Sequence, residues 1–224
     1  MSPTWTLVLP VRAGPFAKTR LGSPPGLAEA FVRDCADAVR GCLLVGRMLV
    51  VTGDPGTAAD LRRDTGAETV LELRPGAGLL PALDDALRSL RPGAAATGPV
   101  GILLPDLPTL RAEDLTAALG AVQGALDGGA TMVAVPDTEG TGTVLLAARS
   151  ADGLTPAFGP DSLAAHVDRG AVPLALDIPR LRRDVDTGVE LAAATRLGLG
   201  RHTLAALTTL WDDGELRDDD ARSA

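Results

Sequence analysis

The amino-acid sequence predicts a single α/β domain in which a mostly parallel sheet is flanked by helices. Short apolar runs alternate with longer segments of helical period, and this alternation is typical of parallel strands joined by crossover helices. Most of the apolar runs are uninterrupted, as expected for strands that are covered on both faces. A chain of 224 residues is long enough for one substantial core. We therefore expect one domain over residues 1–211.

The apolar runs predict seven strands, in chain order Thr6–Leu9, Met48–Thr52, Thr69–Leu73, Val100–Leu104, Met132–Pro136, Val144–Ala148 and Val172–Leu176. Segments of helical period predict seven helices, which are Leu27–Arg40, Gly56–Thr65, Leu80–Leu90, Ala112–Leu126, Asp161–Asp168, Gly188–Leu197 and Thr203–Leu210. Several of these helices have Asp, Ser or Thr at the start, where a side-chain oxygen can cap free N–H groups.

The composition argues against nucleic acid as a partner. Acidic residues outnumber basic ones by 29 to 21, and the net charge is −8, so the chain offers no positive field to a phosphate backbone. Its three Phe and two Trp residues provide few stacking platforms for bases. We expect small-molecule substrates instead.

The cysteine content and the hydropathy pattern indicate a cytoplasmic protein. Cys35 and Cys42 are too few for a disulfide framework, and they lack the spacing of a zinc site. The sequence shows neither a secretory signal pattern nor an apolar run of about 18 residues, so we expect no membrane association. The last stretch, Asp212–Ala224, holds six acidic residues against two arginines. We expect residues 212–224 to form a disordered tail.

A cationic loop follows the first predicted strand. It contains Arg12, Lys18 and Arg20, and it lies beyond the carboxyl end of a strand, where open α/β sheets bind their ligands. Lys18 is the only lysine of the chain, and its compact ammonium group suits contact with a polyphosphate. A solvated surface loop is the alternative interpretation.

Three aspartates are candidate metal ligands. Asp106 follows the fourth predicted strand, although a turn aspartate that bonds its own backbone is an alternative. Asp184 and Asp186 would face one site in an extended chain, about 6.6 Å apart. Two such carboxylates repel by about 2.5 kcal/mol at an effective dielectric near 20, and a bound Mg²⁺ would turn this repulsion into attraction. Alternatively, Asp186 precedes a capping box formed by Thr187 and Glu190 and favours the same helix dipole.

Two turns could bind an anion. The glycines of Asp137–Thr143 allow close approach of backbone N–H groups, but a plain hairpin explains them equally well. Phe158–Ser162 opens a helix, whose free N–H groups favour a phosphate. His166 lies on the same helical face as Ser162, and we expect it to have a structural role, either exposed or hydrogen-bonded, rather than a catalytic one. Together with the cationic loop and the aspartates, these turns predict phosphoryl chemistry.

Five motifs occur in a specific order and spacing, namely Ala17–Leu21, Asp106–Pro108, Gly140–Thr143, Phe158–Ser162 with His166, and Asp184–Thr187. This set resembles the guanylyltransferases of deazaflavin coenzyme (F-420) biosynthesis, which transfer GMP from GTP to phosphoenolpyruvate or 2-phospho-L-lactate. The resemblance extends from about Leu7 to Leu207. It implies a Rossmann-like nucleotidyltransferase domain similar to the molybdenum-cofactor guanylyltransferases, with the site at the carboxyl ends of the strands.

The resemblance also implies roles for individual residues. The implied ligands of Mg²⁺ are Asp106, Asp184 and Asp186. The implied contacts to the acceptor are Thr143, Gly159 and Ser162. Lys18 would lie on the GTP phosphates, with Arg20 nearby, so that Lys18 and Asp106 are the implied catalytic residues. One departure is Gly78-Leu79-Leu80, where the family usually has Gly-Leu-Asn near the nucleotide.

Three other functions remain open from the residues alone. A sugar-phosphate nucleotidyltransferase or a metal-dependent glycosyltransferase would also use an Asp-x-Asp pair. However, the loop Val11–Leu21 lacks the Gly-rich pattern of the sugar-phosphate enzymes. A non-catalytic nucleotide-binding domain is the third alternative. Within the resemblance, we expect phosphoenolpyruvate rather than 2-phospho-L-lactate as the acceptor, and the enzyme that consumes the product as a partner.

Overall fold

A computed structural model describes residues 4–12, 26–90 and 98–212 of the chain. Its strands are β1 Trp5–Pro10, β2 Val45–Thr52, β3 Glu68–Leu71, β4 Val100–Leu103, β5 Met132–Pro136, β6 Thr143–Ala148 and β7 Ala171–Pro173. Its helices are α1 Leu27–Gly41, α2 Pro55–Thr65, α3 Leu79–Leu90, α4 Ala112–Asp127, α5 Ser162–Asp168, α6 Pro179–Arg182, α7 Gly188–Thr195 and α8 Arg201–Asp212. A short 3-10 helix covers Ala151–Gly153.

The predicted α/β fold with a mostly parallel sheet is confirmed. The seven strands form one sheet in the order β3-β2-β1-β4-β6-β5-β7. All neighbouring strands are parallel except β6, which is antiparallel to both β4 and β5. Sequence reasoning missed the short helices Ala151–Gly153 and Pro179–Arg182, because three or four residues are too few to show a helical period.

The reversed strand β6 determines where the site is built. In the register of the sheet, Leu103 lies opposite Leu145, and Pro136 lies opposite Thr143. The amino end of β6 therefore lies at the sheet edge where β4 and β5 end. The residues that follow β4 and β5 meet those that precede β6 at this edge.

Helices cover both faces of the sheet, as the uninterrupted apolar strands predict. Leu7 and Leu9 pack on one face in a cluster that includes α1 and α4, whereas Val8 packs on the other face with α3. Since successive side chains of a strand point to opposite faces, a strand buried on both faces must be apolar throughout.

A third, smaller cluster holds the segment after α6 against α1. Val185 is fully buried there with Leu27, Phe31, Ala194 and Leu199. Nearby, the buried carboxylate of Asp34 on α1 accepts hydrogen bonds from the backbone at the start of α8. These contacts fix the position of the carboxyl-terminal helices relative to α1.

No helix in the described ranges is both long enough and apolar enough to cross a lipid bilayer. The seventh strand ends at Pro173 rather than at the predicted Leu176. The backbone N–H of Leu174 still donates to the carbonyl of Ala134 at 2.9 Å, and the chain then leaves the sheet. The predicted tail lies outside the described residues, apart from Asp212, which ends α8.

Candidate active site

Four carboxylates gather at the sheet edge where β4 and β5 end. Asp106 follows β4, and its carbonyl accepts a hydrogen bond from the backbone N–H of Val185 at 3.1 Å. This bond brings the segment of Asp184 and Asp186 next to Asp106. Asp137 follows β5 at the same edge.

The electrostatics of Asp184 show how closely these groups are placed. Burial, and then the charges of Asp106, Asp137 and Asp186, raise the pKa of Asp184 from 3.8 to about 7. Burial disfavours the charged carboxylate, and each neighbouring negative charge disfavours it further. The described site therefore has an excess of negative charge that a cation would relieve.

The segment that carries Asp184 and Asp186 connects α6 and α7 and belongs to neither a helix nor a strand. Burial nevertheless alternates along it, because Asp184 is half-buried, Val185 is buried and Asp186 is exposed. The predicted capping box is confirmed. The hydroxyl of Thr187 accepts from the N–H of Glu190, and the Glu190 carboxylate accepts from the N–H of Thr187 at 2.8 Å.

Asp137 is a fourth carboxylate at this edge, and sequence reasoning did not identify its side chain as part of the site. Its two side-chain oxygens accept hydrogen bonds from the N–H groups of Thr141 at 3.0 Å and Gly142 at 2.7 Å. A Cβ at position 142 would collide with this carboxylate. These two N–H groups are thus bonded to Asp137, as the hairpin interpretation of this loop expects. Its position directly after a buried strand was the available sequence signal.

Arg182 fastens the aspartate segment to the β5–β6 hairpin. Its guanidinium donates to the carbonyls of Pro136 at 3.1 Å, Asp137 at 2.7 Å and Leu176 at 3.3 Å. Its own carbonyl accepts from the backbone N–H of Thr138 at 2.9 Å. Because these partners are backbone groups, no pattern of residue types in the sequence indicates them.

Thr143, Ser162 and His166 are brought together beside the carboxylates. All three are buried, at 2%, 3% and 0% exposure. The Thr143 hydroxyl lies 2.9 Å from Nδ1 of His166, and the N–H of Leu163 donates to the carbonyl of Thr141 at 3.0 Å. The start of β6 is therefore joined directly to α5. Of the two roles expected for His166, the structure shows the hydrogen-bonded one, and the exposed one is wrong because the ring is fully buried.

The turn before α5 needs a glycine at position 159. Gly159 has a φ of +150°, a backbone angle that residues with a Cβ rarely adopt. Asp161 follows in the left-handed region, with a φ of 53°, so α5 begins at Ser162, one residue later than predicted. This turn places Gly159 and Ser162 on the Thr143 side of the site.

A cleft of about 580 Å³ opens at the carboxyl ends of β1, β2 and β3. Its lining includes Arg12, Asp54, Glu72 and Leu79. Its size lies within the range of small-ligand pockets, roughly 300–1,000 Å³. The neighbouring Leu80, which departs from the Gly-Leu-Asn pattern, is 41% exposed.

Curated relatives that match about nine-tenths of this chain share the name of one activity. A phosphoenolpyruvate guanylyltransferase of Salinispora arenicola is 45% identical over 211 residues, which cover 91% of this chain and 93% of the relative. Enzymes of the same name from Geodermatophilus obscurus and Streptomyces scabiei are 44% and 42% identical, and the matches cover 94% and 99% of those relatives. The chain belongs to the phosphoenolpyruvate guanylyltransferase family. No family model matches it.

Solved structures place this family member among the nucleotidyltransferase folds. A 4-diphosphocytidyl-2C-methyl-D-erythritol synthase superimposes with a TM-score of 0.57 at 14% identity, over 88% of this chain and 99% of that one. A cytidylyltransferase from Leptospira borgpetersenii gives 0.56 at 10% identity, over 95% and 96%. A CMP:2-keto-3-deoxy-manno-octonic acid synthetase gives 0.54 at 13% identity, over 92% and 99%. The predicted nucleotidyltransferase-like fold and the predicted family are both confirmed.

The described part of this guanylyltransferase homologue contains no preassembled group of three His, Cys, Asp or Glu ligands. Magnesium does not require one, since it commonly keeps several waters and binds through one or two carboxylates plus substrate phosphates. The excess negative charge around Asp184 and the oxygen ligands at this edge fit such an ion. Lys18 and Arg20 lie outside the described residues, so their assignment to the GTP phosphates stays a prediction.

Proposed function

We propose that this chain transfers the GMP unit of GTP to phosphoenolpyruvate and releases pyrophosphate. The observation that carries the proposal is the raised pKa of Asp184 beside Asp106, Asp137 and Asp186, at the sheet edge that also holds buried Thr143 and Ser162. Such an edge suits a reaction in which phosphate groups and a divalent cation meet. The names of the relatives at 42–45% identity supply the two substrates.

GTP is assigned to the cleft at the ends of β1, β2 and β3. The cleft has room for a nucleoside, and it lies on the β1 side of Asp106, because β1 and β4 are adjacent in the sheet. In this arrangement the phosphates extend from the cleft toward the carboxylates. Lys18, with Arg20 nearby, is proposed to contact those phosphates.

The acceptor is assigned to the other side of the carboxylates. Thr143, Gly159 and Ser162 would contact its phosphate and carboxylate groups. Both hydroxyls are buried, and buried donors bind an anion more strongly than donors in water. Phosphoenolpyruvate carries two acidic groups, so two hydroxyl donors and a glycine turn suit it.

Mg²⁺ is assigned to Asp106, Asp184 and Asp186. When bound, the ion would neutralise the charge of the phosphate groups. The chain contributes the placement of these carboxylates, which the Val185–Asp106 backbone bond and the Arg182 contacts maintain.

The reaction needs no covalent enzyme intermediate. A phosphate oxygen of the acceptor attacks the α-phosphorus of GTP, and a new P–O bond forms on the face opposite the leaving group. The bond from the α-phosphorus to the bridging oxygen breaks, and pyrophosphate leaves with that electron pair. The residues of the chain accelerate this step by holding the two substrates in line and by donating hydrogen bonds to their charged oxygens.

The product would be an intermediate of F-420 coenzyme biosynthesis, and a downstream enzyme that consumes it would be a partner. These two assignments rest on the motif resemblance. Phosphoenolpyruvate is favoured over 2-phospho-L-lactate because it is the acceptor in the relatives' names.

The test is mass spectrometry of the products formed with Mg²⁺, GTP and one acceptor at a time. The acceptors are phosphoenolpyruvate, 2-phospho-L-lactate and 3-phosphoglycerate, and ATP and CTP replace GTP in parallel. We expect a guanosine-diphospho adduct of phosphoenolpyruvate and one pyrophosphate per turnover. Asp184→Asn should abolish the adduct, whereas Asp177→Asn, an exposed carboxylate nearby in the sequence, should not. Absence of any adduct with the wild-type protein would refute the proposal.

A further inference from the structure

His166 makes two hydrogen bonds from a fully buried position on α5. Its Nε2 lies 2.8 Å from the backbone nitrogen of Ala157, and its Nδ1 lies 2.9 Å from the hydroxyl of Thr143. Its ring also packs edge-on against Phe158, with 4.9 Å between the ring centroids. The imidazole thus connects the turn before α5 to the start of β6.

The two bonds determine which ring nitrogen carries the proton. A backbone N–H can only donate, so Nε2 of His166 must accept from Ala157 and cannot itself carry a proton. The neutral imidazole then has its proton on Nδ1. Burial, together with the nearby charge of Arg169, lowers the pKa of His166 to about 4, so the ring is neutral at physiological pH.

This tautomer in turn orients the Thr143 hydroxyl. Nδ1–H of His166 donates to Oγ1 of Thr143, so the Thr143 hydroxyl proton cannot point at the imidazole. From this geometry we propose that His166 is a positioning residue that turns the Thr143 hydroxyl proton toward an anionic group of the acceptor. Without this partner, the Thr143 hydroxyl could donate its hydrogen bond to another nearby acceptor instead of to the substrate.

The inference rests on the proposed function, because that function assigns Thr143 to the acceptor. It adds that the phosphate or carboxylate oxygen of phosphoenolpyruvate is recognised through a relay from the Ala157 backbone, through His166, to Thr143. His166 acts only through Thr143 and does not touch the substrate.

Two substitutions separate the two bonds of His166. His166→Asn places an amide N–H where Nδ1–H stands and preserves the donor to Thr143. His166→Gln places an amide oxygen where Nε2 stands and preserves only the acceptor for Ala157. Since a hydrogen bond to a charged group contributes about tenfold or more in affinity, His166→Gln should raise KM for phosphoenolpyruvate about tenfold, and His166→Asn less than about threefold.

Several controls distinguish positioning from structural damage. KM for GTP should stay unchanged in both variants, and His202→Gln, at the other histidine of the chain, should leave both KM values unchanged. In a Thr143→Val background, where the hydroxyl is absent, His166→Gln should cause no further rise in KM for phosphoenolpyruvate. Equal effects of the Asn and Gln variants on that KM, or a further rise in the Thr143→Val background, would overturn the inference.

The tautomer can be measured in the wild-type protein without any activity. With two histidines in the chain, ¹⁵N NMR of labelled imidazoles, assigned with His202→Gln, reports each ring separately. We expect the Nδ1–H form of His166 between about pH 6 and pH 8. An Nε2–H form would overturn the inference even if the protein is an active guanylyltransferase. Conversely, an inactive wild-type protein with the Nδ1–H form refutes the proposed function, and it still supports the direction of the His166–Thr143 hydrogen bond.

Discussion

Asp184→Asn should make the protein more stable while it abolishes guanylyl transfer. The folded protein raises the pKa of the Asp184 carboxyl group from 3.8 to about 7, through burial and three neighbouring carboxylates. At pH 8 without a divalent cation, folding therefore buries the charged Asp184 carboxylate next to other negative charges. An amide of nearly the same shape removes that charge.

The magnitude follows from the difference between the two pKa values. At about 1.4 kcal/mol per pH unit, a rise from 3.8 to about 7 sets an upper limit of about 4 kcal/mol on the destabilisation. Relaxation of the neighbouring carboxylates lowers this figure. We expect an increase of about 1–2 kcal/mol in the free energy of unfolding, which for a chain of this size raises Tm by about 2–8 °C.

The sign of the pH dependence follows from proton linkage. The folded state binds the Asp184 proton more tightly than the unfolded state, so this group makes stability fall as pH rises from about 4 through about 7. Below pH 4 both states are protonated, and above pH 7 the destabilisation is complete. Asp184→Asn lacks this contribution, so its advantage over the wild-type protein should be present at pH 8 and absent at pH 4.

Thermal unfolding with EDTA and with Mg²⁺, at pH values from 4 to 8, measures these differences. We expect Mg²⁺ to raise Tm of the wild-type protein at pH 8 more than Tm of Asp184→Asn. Asp177→Asn, which removes an exposed carboxylate, should match the wild-type protein throughout. A lower Tm for Asp184→Asn at pH 8 in EDTA, or a pH dependence identical to that of the wild-type protein, would refute the reasoning.

Three further substitutions, the first with a matched control, test the framework of the site. Gly142→Ala should lower the free energy of unfolding by about 1–3 kcal/mol, because the new Cβ collides with the Asp137 carboxylate. The same substitution at Gly124, where a Cβ meets no atom within 4 Å, should stabilise α4 by up to about 1 kcal/mol; urea denaturation compares the two. Arg182→Gln should reduce kcat/KM about tenfold or more in a pyrophosphate-release assay, since small misplacements of reacting groups are costly, and unchanged kinetics would contradict its fastening role. Asp34→Ala should cost about 1–3 kcal/mol, because two backbone N–H groups at the start of α8 lose their acceptor; an unaltered Tm would count against this.

The sheet could be predicted because its signal is local. Each strand of the double-covered sheet is an apolar run, and six of the seven predicted strands end within two residues of the observed ones. The prediction for β7 was less accurate, because Leu174 and Leu176 are apolar for another reason. They pack against the core cluster from outside the sheet.

The site was predictable only where a side chain itself carries the signal. The sequence indicates Asp106, Asp184 and Asp186 because each is a carboxylate at a strand or helix end, and in the structure Asp106 and Asp186 help to raise the pKa of Asp184. Their role as metal ligands stays a prediction. The role of Arg182 in holding the aspartate segment to the β5–β6 hairpin could not be predicted, because its partners are backbone carbonyls. The sequence indicates Asp137 only as part of a glycine-rich loop. The folded hairpin is needed to show that its carboxylate accepts hydrogen bonds from two N–H groups of that loop.

The reversed direction of β6 lets two separate stretches of the chain build the two halves of the site. The cleft lining comes from residues 10–82, whereas the carboxylates and the buried hydroxyls of Thr143 and Ser162 come from a single later run, residues 106–187. Because β6 begins at the edge where β4 and β5 end, residues 106–187 bring the carboxylates and the hydroxyls together without a strand from residues 10–82. Substitutions within residues 106–187 can therefore change that half of the site without changing the lining of the cleft.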